Sequence, residues 1–195
     1  MRLRSKYFIL RHGQTIYQTR KKDFVYPPFP EKPAIKLTKK GTRQIKAAAK
    51  KLKKAGINLI FSSDFFRTMQ TARIVAKWLS IKKINFDKRL RDGNLGIYRG
   101  GKKKEFYRVF PPNSHKFFYQ RPPQGENWID IQKRMVNFLK DIDKRYKDKT
   151  ILIISHGDPL WLLDGAVKNW SIKKLLKVKV SRIDRIKVGE FRKLS

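Results

Sequence analysis

Two of the three histidines in this 195-residue chain follow short apolar runs and precede a glycine. Arg11-His12-Gly13 comes after Tyr7 to Leu10, and Ser155-His156-Gly157 after Ile151 to Ile154. A third apolar run, Ile57 to Phe61, leads into Ser62-Ser63-Asp64, with Arg67 one helical turn on. Two imidazoles and two guanidinium groups in one place have an obvious chemical use. A neutral imidazole can attack phosphorus, while guanidinium forks grip a phosphoryl group bidentately and cancel its charge. The glycine after each histidine lets backbone amides approach the same oxygens. Each residue alone has a plainer reading. A histidine at a strand end is more often a hydrogen-bonded structural residue, and an arginine on a first helical turn a surface charge. The joint pattern favours chemistry, because two of three histidines hold equivalent places. His115 stands in a loop without that context and is read as incidental.

Continuous apolar runs bounded by turn residues suit strands buried on both faces, as in parallel sheets. Helical patterns lie between them. Thr38 can cap a helix to about Ala55, with Ile45, Ala48, Ala49 and Leu52 on one face and Gly56 as the stop. Ser63 or Asp64 can cap a second, through Ile74, Val75, Trp78 and Leu79. A third spans about Asn127 to Tyr146, with Trp128, Ile131, Met135, Phe138, Ile142 and Tyr146 spaced by three and four. The alternation predicts an α/β three-layer sandwich with a mostly parallel central sheet and helices on both faces. If the strands are parallel, the polar clusters converge beyond their carboxyl ends, where such sheets bind ligands. Leu176 to Val180 and Ile183 to Val188 alternate and are expected as edge or half-exposed strands. Residues 17–37, with four prolines, and 99–126 read as loops, the latter with a short helix at about 103–110.

At this point the motifs resemble the histidine phosphatase superfamily, in its phosphoglycerate mutase-like branch. They are Arg11-His12-Gly13-Gln14-Thr15, Leu37-Thr38 with Gly41 and Gln44, and Ser62-Ser63-Asp64 with Arg67, Thr68 and Thr71-Ala72. Leu90-Arg91-Asp92 with Gly96 and Gly100, Gly125-Glu126-Asn127 and Ser155-His156-Gly157 follow in the family's order, covering about residues 6–170. The resemblance implies that His12 becomes a phosphohistidine, that Arg11, Arg67 and His156 form the phosphate pocket with Gly13, and that Asp92 is the proton donor. Gln18 stands where the family often has an asparagine that contacts phosphate. Asp92 stands where glutamate is commoner, one methylene longer. Glu126 is expected at the pocket rim or as a cap of the long helix. The implied activity is a metal-independent phosphatase hydrolysing phosphomonoesters, with no cofactor and no metal site. A phosphoglycerate or phosphosugar mutase on the same scaffold is the alternative, and the shortened insertion after the acidic block favours the phosphatase. The variable segment carries Lys102, Lys103, Lys104, Arg108, Lys116 and Arg121 among Phe106, Tyr107, Phe110, Phe117, Phe118 and Tyr119. It reads either as a surface that stacks a ring and pairs further phosphates or as a hydrophobic cap with solvated charges.

Composition bounds the rest. Lys and Arg number 49 against 15 Asp and Glu, a formal net charge of +34. The basic residues are spread evenly, 17 in residues 1–65, 15 in 66–130 and 17 in 131–195. Such a body attracts polyanions and steers anionic small molecules without specifying a nucleic-acid site, so a non-catalytic polyanion-binding module is the reading from another class. Absence of cysteine excludes disulfides, thiolate metal sites and a cysteine nucleophile. The glycines from Gly93 to Gly101 fit neither a Walker A loop nor a Rossmann fingerprint. No apolar run approaches the roughly 18 residues of a membrane span, and the stretch behind the basic N-terminus is too short for a signal sequence. The expectation is a cytoplasmic protein of one domain, 1–195, with a variable cap at about 99–126, acting on a small phosphorylated substrate.

Overall fold

The computed structural model describes residues 1–181 and 183–194. Among these residues five strands form one sheet: β1 (Lys6–Arg11), β2 (Leu59–Ser62), β3 (Ile84–Phe86), β4 (Thr150–Ser155) and β5 (Phe191–Leu194), in the order β3-β2-β4-β1-β5. All pairings are parallel except that of β5 with β1. The predicted apolar runs are the three inner strands, and their side chains divide between two faces. Tyr7, Ile9, Phe61, Ile151 and Ile153 enter one core cluster; Leu10, Ile60, Leu152 and Ile154 enter the other.

Helices cover both faces. α1 (Lys39–Leu52) and α2 (Phe66–Leu79) pack on the Leu10 side, bringing Ile45, Ala49, Leu52, Ala72 and Val75. A 3-10 turn, Lys53–Ala55, extends α1 to Gly56, whose φ of 65° ends it as the sequence predicts. Two short helices, α3 (Lys103–Val109) and α4 (Lys116–Tyr119), lie in the variable segment. α5 (Trp128–Arg145) and α6 (Gly157–Val167) cover the Ile9 side with Ile131, Met135, Phe138, Leu160 and Leu163. Asn127 and Asp130 cap α5 reciprocally, which leaves Glu126 out of the cap. The expected three-layer architecture is thus present. Among the described residues no helix is long and apolar enough to cross a membrane.

Three details differ from the sequence reading. Ser63 and Asp64 do not cap α2; Phe65 occupies the cap position, because Asp64 is paired with Arg91 (2.7 and 2.5 Å). Leu176 to Val180 is helical, within α7 (Ile172–Ser181). The Leu-Lys-Val-Lys-Val alternation is shorter than the run around it, where Ile172, Leu175, Leu176 and Lys179 share a face, and Ser171 Oγ accepts the Lys174 amide (3.3 Å). Ile183 to Val188 is irregular, and the edge strand lies after it as β5.

Candidate active site

Parallel register aligns the strand ends: Arg11 pairs with Ser155, and Ser62 with Ile154. The residues just beyond therefore meet. The His12 and His156 rings lie edge to face, 5.2 Å between centroids, both buried. His12 Nδ1–H donates to the Gly13 carbonyl (2.8 Å), which leaves the lone pair on Nε2. His156 Nε2 shares a hydrogen bond with Ser63 Oγ (3.0 Å), and Phe65 packs against the ring. Burial and the charges of Arg67 and Arg11 hold both imidazoles well below the usual histidine range, His156 adding to the effect on His12. Each is therefore neutral at physiological pH, as a nucleophile must be.

Arg67, on the first turn of α2, is fully buried, its guanidinium 3.9 Å from the Tyr26 ring centre and 4.9 Å from that of Phe65. Nη1 meets Glu31 Oε1 at 2.5 Å and Nη2 meets Asp92 Oδ2 at 3.3 Å. The same Asp92 oxygen is 3.7 Å from His156 Nδ1, and Oδ1 accepts the Gly93 amide (3.1 Å). Asp92 is held from behind. Arg134 on α5 donates to the carbonyls of Arg89 (2.6 Å), Arg91 (2.8 Å) and Asp92 (3.2 Å), and Ser155 Oγ to that of Leu90 (2.7 Å). Glu126 pairs with Arg134 (2.7 Å) and takes the Asn94 amide (3.0 Å), so it braces the Asp92 loop.

Arg11 Nη1 donates to the Ile186 carbonyl (3.1 Å). Several polar atoms around the site have no hydrogen-bond partner among the described residues: Arg11 Nε, Arg67 Nε and His156 Nδ1, all donors in their bonding-competent forms, and the Glu31 carboxylate oxygen Oε2. Buried unsatisfied groups are costly, and a cluster of donors marks where an anion belongs. Gly13 is set by packing. A methyl there would lie 2.6 Å from the Gly41 carbonyl, and its amide points to Thr71 Oγ1 at 3.4 Å. Gln18 lines the adjoining cavity, but its amide is engaged, accepting from Thr15 N (2.7 Å) and donating to Tyr26 Oη (2.7 Å).

The sequence reading had no role for Glu31, Tyr26, Arg134, Lys179 or Arg185. Glu31 belongs to the proline-rich loop, its side chain only 4% exposed, and burial raises its pKa above the ordinary carboxylate value despite Arg67. A usable signal existed, since each of only 15 acids among 49 bases invites the question of which cation holds it. Asp158, next to the second histidine motif, is held by Lys179 (2.9 and 2.7 Å), Arg185 and the Trp128 indole (3.3 Å). Those cations push its pKa below the usual carboxylate range, whereas burial lowers Lys179 to about 8.

Residues 7–190 match the profile of the histidine phosphatase superfamily (branch 1). Among curated proteins, "Probable phosphoglycerate mutase GpmB" of Escherichia fergusonii is 29% identical over 188 residues, covering 91% of this chain and 83% of that protein. Its counterpart in Proteus mirabilis is 29% identical over 170 residues, 82% and 73% of the two chains. A solved mycobacterial glucosyl-3-phosphoglycerate phosphatase superposes with TM-score 0.78 at 21% identity over 97% and 89% of the chains, a likeness of fold. Bacillus stearothermophilus YhfR gives TM-score 0.72 at 26% identity over 88% and 83%. With one profile spanning nearly the whole sequence and both histidine motifs meeting at the strand ends, this chain belongs to the histidine phosphatase superfamily, branch 1.

Proposed function

We propose that the chain is a phosphomonoesterase that works through a phosphohistidine on His12. The observation carrying this reading is the pairing of a neutral, oriented His12 with the unpartnered donors of Arg11, Arg67 and His156. His12 Nε2 attacks phosphorus in line, the ester P–O bond breaks, and Asp92 gives its proton to the leaving oxygen. The resulting phosphoryl group, bound to Nε2, is held by both guanidinium groups and His156 Nδ1–H. Water then attacks phosphorus, Asp92 takes its proton, and inorganic phosphate departs with His12 restored. Positioning and charge cancellation supply most of the acceleration in such transfers. The Glu31 carboxylate must give way on Arg67 as the phosphoryl dianion arrives.

His12→Ala is expected to abolish release of phosphate from a phosphomonoester, and turnover within about tenfold of the parent would refute the nucleophile. Asp92→Asn should slow both steps while still permitting a His12 adduct with an activated aryl phosphate. A second reading, phosphoryl return to substrate as in a mutase, draws on the name of the GpmB relatives. The two separate on one measurement. A phosphoenzyme whose lifetime is unchanged by phosphoglycerate supports hydrolysis, and one discharged by it supports the mutase.

A further inference from the structure

His12, Arg11 and Asp92 open onto a cavity of about 240 Å³ whose other lining includes Phe24, Tyr26, Phe106, Phe110 and Trp128. Phe106 and Phe110 stack on each other (5.1 Å between centroids) and are fixed by Phe117, which in turn meets Trp128 (5.0 Å), so the ring wall is rigid. Cations also reach the lining, tethered to the protein by hydrogen bonds. Lys179 and Arg185 are spent on Asp158; Arg99 is held by the carbonyls of Pro27 (Nε, 3.0 Å) and Gly93 (3.1 Å); Lys103 bonds the Lys22 carbonyl. A ring on the leaving group would meet rings there. The cavity is open to solvent, and its volume is ample for one ring.

From this we infer that the substrate is the phosphate monoester of a ring-bearing alcohol, its ring seated on the aromatic wall. The inference rests on the phosphomonoesterase reading, and its test is built to fail separately. Phosphonates cannot be hydrolysed at the C–P bond, so calorimetric titration of the whole protein with 2-phenylethylphosphonate and ethylphosphonate reads the cavity alone. The phenylethyl compound should bind tighter by roughly 10- to 100-fold, the scale on which apolar pockets separate neighbouring ligands. Phe24→Ala, at a partly exposed lining residue, should shrink that ratio severalfold and leave ethylphosphonate affinity unchanged. Equal affinities, or tighter binding of an acidic phosphonate such as 2-carboxyethylphosphonate, would overturn the inference. Turnover is then followed with 2-phenylethyl phosphate and ethyl phosphate, whose leaving alcohols differ little in acidity. Tight phenylethylphosphonate binding without hydrolysis of either ester would sink the phosphomonoesterase reading while sustaining the ring pocket.

Discussion

Glu31 gives Arg67 an anionic partner supplied by the chain itself, on the guanidinium that the proposed mechanism assigns to the phosphoryl group. Two unit charges about 5 Å apart interact by roughly 3 kcal/mol at the effective dielectric of such sites, so a phosphoryl group must overcome this carboxylate or displace it. Glu31→Gln is expected to tighten competitive inhibition by inorganic phosphate by at least about tenfold, some 1.4 kcal/mol. An unchanged inhibition constant would show that the carboxylate leaves without cost. The two buried histidines carry a stability consequence. Unfolded, they take up protons below about pH 6.5; folded, burial and Arg67 keep them neutral. The unfolded state then binds more protons, so stability is full above that pH and declines as pH falls through it. The urea midpoint should drop between pH 7 and 5.5, and His156→Asn should lessen the drop. A midpoint flat across that range in the parent protein would contradict neutral histidines. His12, His156, Arg11, Arg67 and Asp92 were legible because each belongs to a short motif at an element's end. Glu31 was not, because its partner lies 36 positions away and only the folded loop brings them together.

At the scale of elements, the turn after β1 packs closely against the start of α1. A methyl added at Gly41 would lie 2.2 Å from the Gln14 carbonyl oxygen, while one at Gly56 would meet nothing within 4 Å. Gly41→Ala should therefore cost about 1–3 kcal/mol by overpacking and move the His12 turn, lowering both melting temperature and turnover. Gly56→Ala meets no steric obstacle; its cost of roughly 1 kcal/mol is that of the left-handed backbone, and turnover should survive. Comparable losses of turnover in the two variants would argue against a packing role for Gly41. Strands and long helices were readable wherever one period dominated, as in α5. α6 was missed because Pro159, Leu160, Trp161, Leu162 and Leu163 are all buried, which erases the one-sided stripe. α7 was misread because basic residues between apolar ones satisfy both periods over five positions, and a cavity-facing Lys179 looks like a solvated one.

The whole molecule carries +34 at neutral pH, with ion pairs such as Asp158–Lys179–Arg185 and Asp64–Arg91 consuming part of the scarce acid. A field of that sign speeds the approach of dianions and strains the compact state. Raising ionic strength from 0.01 to 0.15 M shortens the screening length from about 30 to about 8 Å. kcat/KM toward a phosphomonoester should fall as melting temperature rises, and a kcat/KM indifferent to salt would remove the steering.

β5 pairs with β1 across nearly the full chain, and the Gly189 amide reaches the carbonyls of Arg11 (3.2 Å) and His12 (3.0 Å). The backbone presenting His12 is thus buttressed by residues that lie far from it along the chain. Closing so long a loop is a late event in folding, so a folding intermediate without the β1–β5 pairing would hold the rings and forks but lack their backstop, and would stay dormant until β5 docks.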